Sequence, residues 1–416
     1  MKAAVGTLRS LSWLNFTVSA MQAGFGPFVS VRLTASGWDP GSIGLALSAG
    51  SIASLVAQVP SGVVIDRFGA KRGMATLAIL GCMAALVMLT LAPGFWLVLG
   101  AEVVQGGSGV GLSLAIAALT LGIARQERLG ERLGGNVRFA AIGAALGTVA
   151  LGMAGSWIGP RAAFLLAAAI GLPALLALRG IRADDLAAAP HRTRHTSAHP
   201  PRARKGRQVP PQTLLADRRL LALIACAALF QLGNASLLPL AATEFSHEAG
   251  RRADLVTAAA VMGPQLLAAL LSPRLGRQAQ LRGRRLLLML ALCAVPLRAI
   301  AFAVAPGLPE MLAAQLLDGF SAAGVGVLLP LIVADITHRG GRFNLALGLT
   351  GLAGSLGATL GTTISGSIAD RAGLPAAYLA LAAAGLAAIL VVWALLPETA
   401  HLPATVPASA QGKHAE

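Results

Sequence analysis

Apolar residues fall in long blocks along this chain, and the breaks between blocks are short, basic or rich in Gly and Pro. An α-helix needs about 20 apolar residues to cross a hydrocarbon core about 30 Å thick. Twelve blocks meet that need: 12–33, 41–65, 73–93, 95–124, 137–158, 162–180, 219–244, 253–274, 286–305, 309–335, 344–369 and 374–396. The short alternating segments of a membrane β-barrel are absent from the pattern. The prediction is an all-α membrane protein of twelve transmembrane helices. The longest break, 181–218, is rich in Arg, His and Pro and poor in large apolar residues, as a disordered linker would be. It divides the chain into six-helix bundles at 1–180 and 219–396, with a tail at 397–416.

Composition supports the membrane reading. Only 12% of the residues are charged and the mean hydropathy is +0.72, where soluble chains carry about 25% charged residues. The abundant Ala and Gly suit close packing of helices in lipid. A net charge of +16 would raise nucleic-acid binding in a soluble protein. Here the charges sit in short loops and set topology instead, so no nucleic-acid partner is expected. With the N-terminus inside, 27 Lys and Arg fall on inner segments and five on outer ones. That bias places both termini and the linker in the cytoplasm. The Arg251–Arg252 pair is the local exception. The 29 Arg against 4 Lys fit a high-GC bacterial genome, hence a bacterial inner membrane. Cys82, Cys226 and Cys293 lie in apolar runs and are expected to be reduced thiols. Segment 12–33 lacks a cleavage site and reads as a retained first helix.

The halves repeat weakly. AEVVQG at 101–106 aligns with AQLLDG at 314–319; Gly143 and Gly147 of the fifth helix align with Gly354, Gly357 and Gly361 of the eleventh; GNVRF at 135–139 echoes GGRFN at 340–344. Internal symmetry of this kind is typical of transporters, whose substrate site lies near the midplane between repeats.

The most specific motif joins helices two and three: Gly62, Asp66, Arg67, Gly69, Lys71 and Arg72, spaced G-x-x-x-D-R-x-G-x-K-R. Gly62 permits close helix contact, Asp66 can cap a helix end, and Gly69 supplies a tight turn. At these positions the chain resembles the major facilitator superfamily, whose cytoplasmic loop carries this pattern as a conformational latch. The resemblance implies two pseudo-symmetric six-helix bundles, secondary transport, and a central cavity lined by helices one, four, seven and ten. The counterpart in the second half, Pro273 to Arg277 with Arg284 and Arg285, lacks the aspartate, which implies an asymmetric latch. On helix four the family's R-x-x-Q-G reads Glu102-Val-Val-Gln105-Gly106, so an acid replaces the arginine tied to proton transfer. The Pro of the antiporter motif on helix five is missing, leaving drug/proton antiport without motif support.

Charges inside a membrane are expensive and point to function. Glu102 lies about two turns into helix four from the outer face. Arg298 sits in mid-helix nine, and Asp318 lies about 13 Å into helix ten. The last two reach similar depth and are expected to pair, either for coupling or simply to fix packing. Glu102 has no evident cation at its depth, the setting in which a carboxyl can exchange a proton. Asp335 near the inner end of helix ten reads as a loop anchor. On the helices the family assigns to the cavity stand Gln22, Gln105, Gln231, Asn234 and Gln315, beside Glu102 and Asp318; Asn15, Gln58 and Gln265 are further polar candidates. Phe25 to Phe28 and the Pro239 region would bend helices one and seven at matching places.

No Walker loop or soluble catalytic constellation appears, so neither an enzyme nor ATP drive is expected, and no cofactor. His191, His195 and His199 have i, i+4 spacing, but in a Pro-rich stretch, so no metal site is expected. The leading expectation is a monomeric, proton-coupled exporter of a small organic solute. The alternatives are a proton-coupled importer of a metabolite or sugar-like solute, and a membrane sensor or scaffold without transport.

Overall fold

A computed structural model of the chain describes residues 2–25, 27–91, 94–124, 126–181, 216–242, 253–305, 307–338 and 342–399. These residues are helical, with no strand among them. The first span is broken in two, α1 (Lys2–Gln22) and α2 (Pro27–Ala35). Spans two to six are α3 (Pro40–Phe68), α4 (Lys71–Thr90), α5 (Phe95–Ile123), α6 (Leu129–Trp157) and α7 (Pro160–Arg179). Spans seven to twelve are α8 (Arg218–Asn234), α9 (Ala253–Arg282), α10 (Arg285–Val304), α11 (Leu308–Thr337), α12 (Phe343–Ala372) and α13 (Leu374–Leu395). Among the described residues ten helices are long and apolar enough to cross a membrane; α1 with α2, and α9, complete the twelve. Most of the linker and the tail beyond Thr399 lie outside the described residues, as do His191, His195, His199, Arg251 and Arg252.

Local chemistry sets the ends. Pro at the first positions of α3 and α7 fits helix starts, where no N–H partner is needed. Asp39 caps α3: its Oδ1 accepts from Ser42 N at 3.0 Å and its Oδ2 from the Ser42 hydroxyl at 2.6 Å. Those bonds hold the Asp39 carboxyl below the usual range. The bends expected in spans one and seven are both present. The helix of span one stops at Gln22 and resumes at Pro27, and α8 stops at Asn234 before helix resumes at 237–242.

Three helices outrun their apolar blocks. The first was expected from 12 and begins at Lys2; α6 was expected from 137 and begins at Leu129; α9 was expected to end at 274 and runs to Arg282. Hydropathy marks where lipid contact stops, whereas these polar extensions persist because they find partners. Arg132 of α6 donates through Nη2 to Leu8 O at 2.7 Å and to Ser12 Oγ at 3.1 Å on α1. The start of α6 packs on the end of α9, where a Cβ on Gly276 would overlap the Gly130 carbonyl.

Two apolar cores, one within 11–181 and one mainly within 220–396, correspond to two six-helix bundles. A small cluster of Ala141, Ala268, Ala269 and Ala323 bridges them. The repeat register is visible in the packing. Gly143 and Gly147 lie against Phe16 and Ala20, and Gly357 and Gly361 lie against Ala228 and Leu232. Gly143 therefore corresponds to Gly357 rather than Gly354. The echo of GNVRF in GGRFN is off register too: the start of α6 at Gly130 corresponds to Asn344, as their packing partners show.

The bundles meet along two seams, α3 against α12 and α6 against α9, both at the end that carries the basic loops. Gln58 Nε2 donates to Ser355 Oγ at 3.2 Å and marks the outward limit of the first seam. Two turns further out on the same helix faces, Ser51 and Thr362 are exposed. The α3/α12 seam is closed at the basic end, and its helix faces are exposed at the other.

Candidate functional site

Three features of the basic end build the motif that joins α3 to α4. Gly69 ends α3 in the left-handed conformation, φ 63°, which turns the chain directly into α4. Gly62 lets α12 approach α3 closely, since a Cβ there would stand 2.5 Å from Asn344 O. Asp66 then reaches the start of α12. Its Oδ1 accepts from Asn344 N at 3.2 Å and Asn344 Nδ2 at 2.7 Å, and its Oδ2 accepts from Leu345 N at 2.8 Å. The residue before α12, Arg342, makes no side-chain cap bond, so the orphan N–H groups of one bundle are satisfied by the other. A carboxylate at a helix N-terminus also meets the positive end of its dipole. Arg67 lies over the Phe68 ring at 5.7 Å. Lys71 and Arg72 open α4 beside the turn. Asn344, the receiving partner, carries no sequence signal beyond its place at a helix start.

Deeper in the second bundle, Arg298 on α10 is almost wholly buried and joins three helices. Its Nη1 lies 2.6 Å from Asp318 Oδ1 on α11. Its Nη2 donates to Asn234 Oδ1 at 2.8 Å and to Asn234 O at 3.3 Å. Asn234 is the last residue of α8 before its bend, so the guanidinium serves a carbonyl at that helix end. Asp318 keeps 26% of its side chain exposed, so one face of the pair is open while Arg298 is sealed.

In the first bundle, Gln22 at the end of α1 and Gln105 on α5 converge on Gly109. Their Nε2 atoms lie 3.7 and 3.6 Å from where a Cβ at Gly109 would stand. Glu102 is one turn away on α5 and packs on α3, where a Cβ at Gly50 would lie 2.9 Å from its Oε2. It is 5% exposed, and its Oε1 has no hydrogen-bond partner among the described residues. Gln315, its repeat counterpart on α11, is 1% exposed, and neither amide atom is hydrogen-bonded among the described residues. Gln231 turns toward α12, with Cγ 3.3 Å from the Cβ position of Gly354. The polar residues thus form two separate groups, Gln22 with Gln105 and Asn234 with Arg298 and Asp318, with Glu102 and Gln315 buried in helix packing. Asn15 donates to Leu11 O at 2.8 Å within α1.

One further cluster was not foreseen. Arg284 Nε lies 2.7 Å from Asp335 Oδ2. Glu398, just past α13, accepts from Arg284 N at 2.9 Å and Arg285 N at 3.1 Å, capping α10. Asp335 anchors a loop as expected, but Glu398 stands in a tail that hydropathy leaves featureless. Among the described residues no group of His, Cys, Asp and Glu is placed to hold a metal ion.

Comparison with known proteins agrees with this architecture. The Major Facilitator Superfamily profile matches residues 11–297 and again 223–415. Uncharacterized MFS-type transporters Rv2456c and MT2531, from two strains of Mycobacterium tuberculosis, are each 30% identical over 393 residues, 94% of this chain and 93% of the relative. The structure of the proton:xylose symporter XylE bound to 6-bromo-6-deoxy-D-glucose superposes with a TM-score of 0.72 at 15% identity, covering 95% of this chain and 96% of that one. The chain belongs to the Major Facilitator Superfamily and is a multi-pass membrane transporter.

Proposed function

We propose that this transporter is proton-coupled and exports a small organic solute by alternating access. Its two bundles, 1–180 and 219–396, rock against each other, and the basic end faces the cytoplasm of a bacterial cell. In that orientation the state described above opens outward, held shut inside by the latch of Gly62, Asp66, Arg67, Gly69, Lys71 and Arg72.

The observation that carries the coupling is Glu102, sealed in the first bundle with an oxygen that no described residue satisfies. A buried charge without a partner is costly, and a carboxyl, unlike an amide, has a way out by binding a proton. Arg298 and Asp318 form the second coupling element, with the open face of Asp318 responding to what enters the cavity. Gln22, Gln105, Gln231, Asn234 and Gln315 supply uncharged polar contacts in an otherwise apolar interior, which suits a moderately hydrophobic solute. The transporter works as a monomer in the bilayer and needs no cofactor.

Import is the second reading. It is favoured by the convergence of two neutral amides, Gln22 and Gln105, and by the fold shared with a proton:xylose symporter. Flux of a solute panel separates the readings. For export, uptake into inverted vesicles follows an imposed proton gradient and stops with a protonophore. For import, the same dependence appears in right-side-out cells. Glu102→Gln keeps the shape and removes the proton site, so solute flux should persist downhill and lose its dependence on pH. Unchanged pH dependence would remove Glu102 from the coupling.

A further inference from the structure

One shift in numbering relates the close backbone contacts of one seam to those of the other. Gly62 lies against Asn344, and Gly276 lies against Gly130. Gln58 lies against Gly348, and Ser272 lies against Gly134. The turns that follow α3 and α9 are built on Gly69 and Gly283, both at positive φ, 63° and 94°. Each residue and its counterpart are 214 positions apart. The same shift carries Asp66 to Gln280, four residues beyond Gly276 as Asp66 is four beyond Gly62. The Gln280 side chain lies at the start of α6, with Cγ 3.1 Å and Nε2 3.2 Å from the Cβ position of Gly130. The residue before α6, Arg128, makes no side-chain cap bond, just as Arg342 makes none for α12.

We infer that Gln280 is the second latch of the closed basic end, a neutral positioning residue that holds the start of α6 as Asp66 holds the start of α12. The inference rests on the alternating-access reading and names a control element for it. A helix start offers unsatisfied N–H groups and a partial positive charge. Asp66 answers both; an amide answers only the first. The α3/α12 seam is therefore held by charge. The α6/α9 seam is held by a neutral side chain together with the close approach of Gly130, Gly134 and Gly276 and the alanine cluster beyond them.

The test is a distance measurement on the full chain in lipid nanodiscs. Spin labels at Leu77→Cys and Leu290→Cys sit on exposed faces of α4 and α10, away from both seams, with the three native cysteines replaced by Ala. Asp66→Asn should raise the ratio of open to closed basic ends about tenfold, and Gln280→Ala about threefold, as charged and neutral hydrogen bonds differ. The exchange variant, Asp66→Gln with Gln280→Asp, should regain most of the closed population lost in Asp66→Gln alone. A Gln280→Ala distribution matching the parent, or an exchange variant without recovery, overturns the assignment. If Gln280→Ala does not fold, Gln280→Met keeps the stem without the amide and gives the same reading. The measurement needs no solute and no gradient, so its outcome is independent of the substrate and coupling proposed above.

Discussion

The two bundles share a backbone and differ in where they keep their charge. The glycines recur at equivalent places: Gly62 and Gly276 at the seams, Gly106 and Gly319 against the neighbouring helix, Gly143 and Gly147 mirrored by Gly357 and Gly361. The acids at the seams and on the fourth and tenth spans do not recur. Asp66 faces Gln280 across the repeat, Glu102 faces Gln315, and Gln105 faces Asp318. At each level one half holds the acid and the other an amide of similar shape. Packing is thus conserved between halves where two helix backbones touch, because any side chain would collide there. Chemistry is free to be one-sided, because an amide fills nearly the volume of an acid without its charge.

The deepest asymmetry should give the largest effect. Arg298 ties Asp318 and Asn234 together in the second bundle, and no such arginine stands in the first, where α4 carries Ala at the equivalent depth. Arg298→Ala leaves Asp318 and the carbonyl of Asn234 without a partner and should destabilise the second bundle by about 3–5 kcal/mol, the usual cost of breaking a buried pair. Asp318→Ala should cost less, since its partially open face is already solvated. The two changes should be non-additive in a double-mutant cycle read by thermal unfolding. Additive losses would mean that the pair does not act as one unit.

Next comes the shared backbone. Gly62→Val would drive a methyl-bearing carbon against the carbonyl of Asn344, and Gly276→Val against that of Gly130. Backbone atoms cannot swing aside, so each change should oppose closure by about 1–3 kcal/mol, typical of overpacking. Both variants should shift the basic end open to a similar degree in cysteine-accessibility assays and slow transport. A large effect at Gly62 with none at Gly276 would show that the seams are not equivalent in shape.

Most of this fold was legible in the chain because lipid imposes a simple rule: each crossing needs an apolar block, and twelve blocks are visible. What hydropathy hid were the polar ends of α1, α6 and α9, whose partners are distant in sequence. The latch motif was readable because its glycines and aspartate serve backbone geometry at fixed spacing. Its counterpart in the second half could be read only as a region, Pro273 to Arg285 without the aspartate, because Gln280 stands at that place and only the glycine contacts reveal the register. The pairing of Arg298 with Asp318 followed from depth alone. The third member, Asn234, did not, since its role comes from a helix that stops. The gathering of the cavity candidates into two groups was equally hidden: periodicity gives a face, and only the packed structure says which neighbour that face meets.

The smallest expected effect lies at the boundary between the closed and parted regions. Gln58 donates to Ser355 across the α3/α12 seam, whereas the equivalent positions in the other seam are Ser272 and Ala141, where no such bond forms. A neutral, half-buried hydrogen bond contributes about 0.5–1.5 kcal/mol. Ser355→Ala should therefore favour the open basic end by up to about tenfold and leave unfolding temperature nearly unchanged, because the bond joins bundles rather than holding one together. Gln58→Ala, which also removes the side chain that lies against Gly351, should do the same. A Ser355→Ala variant that loses stability without shifting the basic-end distance would place the bond in the fold of a bundle rather than in the gate. If it shifts the distance alone, polar contact on one seam and bare packing on the other are separate contributions to one closure.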